Sequence, residues 1–175
     1  MAMILVIYAH PYPDRSRAGA RLYRALDGLE GTVRHSLYDV YPAFDIDVAR
    51  EQAQLLEASA LVFQHPIFWY SVPGLLKHWM DKVLAPGFAY GGRFALSGKR
   101  CLWVPTAGGD DEAYSASGVH ERPFSEFIAP VEQLVRFCKM DWQAPFVVGG
   151  AHRVSNARLE ELAADYRQRV RELAP

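Results

Sequence analysis

Residues 3–9 read Met-Ile-Leu-Val-Ile-Tyr-Ala, an apolar run of strand length without polar alternation. A strand wetted on one face would alternate, whereas an unbroken run suits a strand covered on both faces, as in a parallel sheet. Residues 59–65, 99–106 and 142–150 read as three more strands, and the alternating segment 32–39 as another, nearer an edge. Between them lie segments with apolar residues at helical spacing. The first is capped by Ser16, carries Ala18, Leu22, Ala25 and Leu26, and is closed by Gly28 and Gly31. The second spans 48–58. The third has Pro73 in its first turn, then Leu75, Leu76, Trp79, Met80 and Val83. The fourth spans 124–139, with Pro130 kinking or restarting it. The last is capped by Ser155 and buries Leu159, Leu162, Tyr166, Val170 and Leu173. Strict alternation of this kind predicts an α/β fold: a doubly wound five-stranded parallel sheet, order 2-1-3-4-5, with helices on both faces. The expectation is a single domain over residues 1–175.

That strand order carries a functional expectation. Its crevice opens between strands one and three at their carboxyl ends. The loops 10–16 and 65–70 line it, with 106–120 beside them. The middle loop holds Phe68-Trp69-Tyr70 between Pro66 and Pro73. Large aromatics in a surface loop expose apolar area. Either a flat ligand lies against them, or the loop folds back to bury its own rings. The third loop is long for a connection, and such loops are commonly functional.

Composition narrows the ligand. A formal net charge of −1 gives no electrostatic footprint for nucleic acid, and it argues against a strongly acidic one-electron carrier. No apolar run approaches the roughly 18 residues of a membrane span. The opening MAMILVIYAHPYP lacks a basic stretch and is not expected to be a signal peptide. Cys101 and Cys138 make no disulfide framework, and neither has a suitably spaced partner for zinc; buried free thiols, no metal and a cytoplasmic setting are the expectation.

The loops suggest a specific ligand. No G-x-G-x-x-G follows the first strand and no G-K-[ST] occurs, which disfavours a Rossmann or P-loop site. Ser16 and the backbone N–H groups of Arg17, Ala18 and Gly19 open a helix instead, and such an end takes a phosphate; Ser16 could equally be a plain N-cap. His10, Arg15 and Arg17 are near, Arg15 reading as a solvated side chain. A phosphate at the first loop and a flat ring at the aromatic loop are the two ends of FMN. Thr106, Ala107, Gly108 and Gly109 would bring backbone donors to the ring's pyrimidine edge, or the glycines make an ordinary turn. His35 and His152 read as structural or surface residues.

On Ala9-His10-Pro11 with Ser16, the stretch 64–90, Thr106-Ala107-Gly108-Gly109 and Tyr114 to His120, the chain resembles the flavodoxin-like NAD(P)H:quinone oxidoreductases. It is most similar to the small ancillary flavoproteins of glutathione-regulated potassium efflux systems, which share the Tyr-Ala-His-Pro-Tyr-Pro opening, Gln64-His65-Pro66 with Trp69-Tyr70-Ser71, Leu37-Tyr38, Tyr41-Pro42 and Asp45-Ile46-Asp47. The resemblance implies that His10, Ser16, Arg17, Ala18 and Gly19 hold the phosphate and ribityl end of FMN. It places Ile67, Phe68, Trp69 and Tyr70 along the isoalloxazine, and Thr106 to Gly109 at its polar edge. It makes Tyr114 and His120 the catalytic pair of hydride transfer, and sends Tyr90 to the partner subunit's active site in a homodimer. The implied activity is two-electron, ping-pong transfer from NAD(P)H through flavin N5 to a quinone. The alternative is a regulatory subunit docked on a potassium efflux antiporter at the inner face of the membrane. Ser16-Arg17-Ala18 departs from the Ser-Phe-Asn common in larger relatives. The lack of room for their C-terminal extension favours FMN, with FAD left open.

Overall fold

The computed structural model describes residues 3–174. Five parallel strands form one sheet in the order β2-β1-β3-β4-β5: β1 Met3–Tyr8, β2 Thr32–Ser36, β3 Ala58–Pro66, β4 Arg100–Thr106 and β5 Asp141–Trp142. The helices are α1 Ala18–Ala25, α2 Leu37–Val40, α3 Val48–Glu57, α4 Gly74–Val83, α5 Ala129–Phe137 and α6 Asn156–Arg171. The central strands are buried on both faces, and their side chains divide by parity. Ile4, Val6, Ala60, Val62, Leu102 and Val104 meet α1 and α6. Leu5, Ile7, Leu61, Phe63, Cys101 and Trp103 meet α2 to α5. No helix among the described residues is long and apolar enough to cross a membrane.

The expected elements are present, and their ends differ for local reasons. β2 stops at Ser36 rather than 39, because Ser36 pairs with Tyr8, the last residue of β1. Leu37 then turns into the core, and the Tyr41 N–H closes the turn on the Leu37 carbonyl at 2.8 Å. The fifth strand, expected over 142–150, pairs regularly only at Asp141–Trp142. Beyond it Gln143 N–H reaches Cys101 O, but Phe146 and Val148, one residue late, reach Trp103 O and Pro105 O. The slip falls at Pro145, which has no N–H to give, so the chain bulges by one residue.

The segment 124–139 is a 3-10 turn, Phe124–Phe127, followed by α5, with Pro130 in its first turn where a missing donor costs nothing. Pro73 sits one residue earlier than expected, at the N-cap of α4. Ser155 caps α6 as expected, accepting from Arg158 N–H at 3.2 Å. Ser16 does not cap α1. Arg17 holds the cap position without a side-chain bond, and Ser16 Oγ accepts from Ala20 N–H at 3.1 Å. The N–H groups of Ala18 and Gly19, ahead of Ala20, are left as free donors.

Candidate functional site

β1, β3 and β4 end side by side, and the loops that follow them enclose a cleft. Its inner part, about 190 Å³, is lined by His10, Ser16, Arg17, Ala18, Gly19, Ile67, Phe68, Thr106, Ala107 and Gly108. Its outer part, about 280 Å³, is lined by Ile67, Trp69, Tyr70, Gly108, Gly109, Tyr114 and His120. Ile67 and Gly108 belong to both, so the two are one continuous surface. Every cleft residue expected from the sequence is thus brought together. Tyr90 is not: it lies at a separate groove against Phe137, with ring centroids 5.2 Å apart.

The inner end gathers hydrogen-bond donors. His10 Nδ1 accepts the Tyr12 N–H at 3.0 Å, which puts the proton of the neutral ring on Nε2. Desolvation lowers the His10 pKa, favouring that neutral donor form. Arg17 gives Nη2 to Asn156 Oδ1 at 2.7 Å, while its buried Nη1 has no protein acceptor. Gly19 has to be glycine for Ser16 to sit where it does, since a Cβ there would lie 2.7 Å from Ser16 Oγ. A buried strut fixes the same turn from below: Gln64 Nε2 donates to the Gly19 carbonyl at 2.7 Å, and Tyr166 Oη donates to Gln64 Oε1 at 3.0 Å.

The floor between the ends is equally fixed. Ile67 N–H donates to Thr106 O at 2.8 Å, tying the aromatic loop to β4. Behind it, buried His65 accepts from Trp103 Nε1 at 2.7 Å through Nε2, so its proton sits on Nδ1, 2.9 Å from Pro66 O. Burial lowers the His65 pKa to about 4.

The aromatic loop is a tight hairpin. Phe68 and Ser71 exchange both backbone bonds at 3.0 Å, and Trp69 and Tyr70 between them have φ of 47° and 63°. A two-residue turn with both φ positive ordinarily takes Asn-Gly. Here two bulky residues occupy left-handed backbone at a cost of roughly 1–2 kcal/mol each. The loop does not bury its own rings: Trp69 is 89% exposed and Tyr70 43%. Strain held in this way marks functional turns.

At the outer end Tyr70, Tyr114 and His120 converge. Tyr114 stacks on His120 at 4.2 Å and 26°. Tyr70 Oη lies 3.2 Å from His120 Nδ1. Desolvation, and then the nearby Tyr70, raise the Tyr114 pKa, so its phenol stays protonated. The 107–123 connection folds back on itself to deliver these groups, with His120 N–H on Ala113 O at 3.1 Å. A Cβ on Gly118 would meet Glu112 O at 2.1 Å, and one on Gly109 would meet His120 Nε2 and Tyr114 Cε2 at 2.9 Å.

Sequence reasoning missed the fourth wall. Ala151 and His152, after β5, line the inner cleft, as do Tyr12 and Arg15. Gly149-Gly150 was the available signal. Gly150 has φ of 60° and its N–H holds Gly109 O at 2.9 Å, bringing His152 against Gly108.

A doubly wound sheet with a ligand cleft at the switch point of strand order defines an α/β protein of the mononucleotide-binding type. The family model described as Flavodoxin-like fold matches residues 2–170, and the chain belongs to that family. It is 45% identical over 169 residues to the glutathione-regulated potassium-efflux system ancillary protein KefF of Salmonella typhimurium, covering 96% of this chain and 95% of that one. General stress protein 14 of Treponema denticola, solved in complex with FMN, superposes with a TM-score of 0.90 at 33% identity, covering 98% and 99% of the two chains. An NADPH-quinone reductase from P. pentosaceus superposes with a TM-score of 0.87 at 29% identity, covering 96% and 97%.

Proposed function

We propose that the chain is an FMN-dependent NAD(P)H:quinone oxidoreductase. The observation that carries this reading is the continuity of an anion-fitted pocket with a flat, polar-edged mouth where Tyr70, Tyr114 and His120 meet. The residues present fit the cofactor. The unpartnered Arg17 Nη1, the free N–H groups opening α1 and the His10 Nε2–H suit a phosphate. Ser16 to Gly19 form the adjoining turn, and Thr106 to Gly109 present backbone close to the cleft. Ile67 to Tyr70 supply the aromatic and apolar side. The two parts of the cleft have together the size of a small-molecule site, roughly 300–1,000 Å³. The structural neighbour solved with FMN and the reductase neighbour support the same assignment.

Bound FMN would supply hydride acceptance from NAD(P)H and hydride donation to a quinone. The chain's part is to orient, to exclude water and to hold protons. Tyr114, kept protonated by burial, is a hydrogen-bond donor at the outer end. His120, stacked beside it, presents its imidazole to the same end of the cleft. Trp69 is exposed enough to meet an incoming flat co-substrate.

The likeness to KefF supports a second reading, an ancillary subunit of a potassium efflux system. The two roles can coexist. A spectrum of the purified protein, flavin release and identification, and NAD(P)H–menadione turnover separate them. Robust flavin binding without turnover, together with stabilisation of a transporter, would replace the enzyme with the regulator. A folded protein that takes up no flavin would end both. The homodimer belongs to the same proposal, with the groove at Tyr90 and Phe137 as its contact.

A further inference from the structure

We propose that Tyr70 is a positioning residue for His120: its hydroxyl keeps the proton of the neutral imidazole on Nε2, the nitrogen that faces the cleft floor. The consequence for turnover rests on the reductase reading; the geometry does not. Tyr70 Oη meets Nδ1 at 3.2 Å, and the tyrosine ring stands edge-on to the imidazole at 87°. Nε2 is the nitrogen on the Gly109 side, since a Cβ on Gly109 would come within 2.9 Å of it. Both His120 and Gly109 line the outer cleft.

A hydroxyl both donates and accepts. The contact itself can form either way round; in the arrangement proposed, the neutral ring accepts the Tyr70 hydroxyl proton at Nδ1 and keeps its own proton on Nε2. When His120 is charged, the same oxygen accepts from Nδ1–H. One ring orientation serves both states, so a proton joins or leaves at Nε2 without the ring turning. Tyr114 covers one face of the imidazole at 4.2 Å and blocks a flip. Tyr70 is itself held by stacking on Phe127 at 5.0 Å and 23°.

The strained backbone gives the independent indication. Tyr70 has φ of 63°, in the second central position of a turn where glycine would be free of strain. A residue selected for the turn alone would not be tyrosine. The strained side chain is the one whose hydroxyl reaches His120.

The test uses the protein as purified. Long-range 15N–1H spectra at about pH 8, where an ordinary imidazole is neutral, should show His120 as the Nε2–H form alone. In Tyr70→Phe the Nδ1–H form should appear, and likewise in Tyr70→Asn, which tolerates the left-handed backbone. Turnover of Tyr70→Phe should fall about tenfold in kcat, with KM for NAD(P)H within about twofold. The loss should vanish in a His120→Gln background, as expected of two residues acting as one unit. An unchanged His120 tautomer in Tyr70→Phe overturns the proposal even if turnover falls, and so does a full additional loss on His120→Gln. Should the wild type turn over no nicotinamide–quinone pair, the reductase reading fails, and the tautomer spectra alone decide the role of Tyr70.

Discussion

Gly109 shows how little separates an assembled site from a disordered one. With hydrogen in place of a methyl group it lets His120 Nε2 and Tyr114 Cε2 approach over the backbone; a Cβ would put both at 2.9 Å. Gly109→Ala is therefore expected to push the pair outward while leaving the sheet intact. A displacement of that order lowers kcat by about 100-fold, read by steady-state kinetics against an unchanged far-UV spectrum. His65 acts under the same floor, through protonation. Its folded pKa, about 4, lies below the ordinary 6.5 because burial opposes the charge. As pH falls from about 6.5 to about 4 the unfolded chain takes up a proton that the folded chain refuses, so stability is full above that window and declines through it. The decline from this group is about 2 kcal/mol between about pH 7.5 and about pH 5. Urea unfolding at the two pH values measures it, and His65→Gln should remove that part of the slope. An equal slope in the variant would assign it to other groups.

Among the elements, the aromatic hairpin and α3 show opposite uses of free energy. Trp69 is exposed and strained, so Trp69→Asn should raise stability by about 1 kcal/mol, read as a higher Tm, while weakening whatever lies on the turn. α3 is held by fully buried Glu51, which accepts from Tyr41 Oη at 2.6 Å and Trp79 Nε1 at 2.7 Å. His35 Nε2 lies 3.0 Å from Glu51 without the alignment of a hydrogen bond. Burial alone would raise the Glu51 pKa, but these partners outweigh it and hold the carboxyl below its usual value. Glu51→Ala strands the buried donors and should cost about 3 kcal/mol or more in urea unfolding. The wild-type contribution is present above the ordinary carboxylate range and disappears as pH falls through the lower folded value.

Sheet order and the three loops were legible in the sequence because apolar runs and helical spacing report burial directly. The Glu51 centre was not, since nothing in Tyr41, Glu51 and Trp79 as a sequence shows that they meet. The early end of β2 was hidden for a related reason: it depends on where β1 stops. Pro145, which cannot donate to a ladder, was the available signal of the slip in β5, and reading 142–150 as one strand passed over it.

At the scale of the whole molecule the proposal needs both the cleft and a separate apolar groove on the α4 and α5 side. The groove, about 480 Å³, is walled by Met80, Leu84, Tyr90, Leu134 and Phe137 from the α4 and α5 side. Phe137 is 55% exposed, and Tyr90 tilts against it at 50°. Tyr90 stands outside its own chain's cleft, so a role in catalysis requires a second copy. A stable pair would bury upward of about 1,000 Å² and take its core from these side chains. Phe137→Glu places a charge at the centre of that contact and removes little from the fold, because the ring is already half in water. Light scattering at about 10 µM should report a dimer for the wild type and a monomer for the variant, with far-UV spectra superimposable. FMN binding should survive in the variant, since no residue of the inner cleft belongs to the groove. A wild type that is monomeric at that concentration removes Tyr90 from the site and leaves the cleft to work within a single chain.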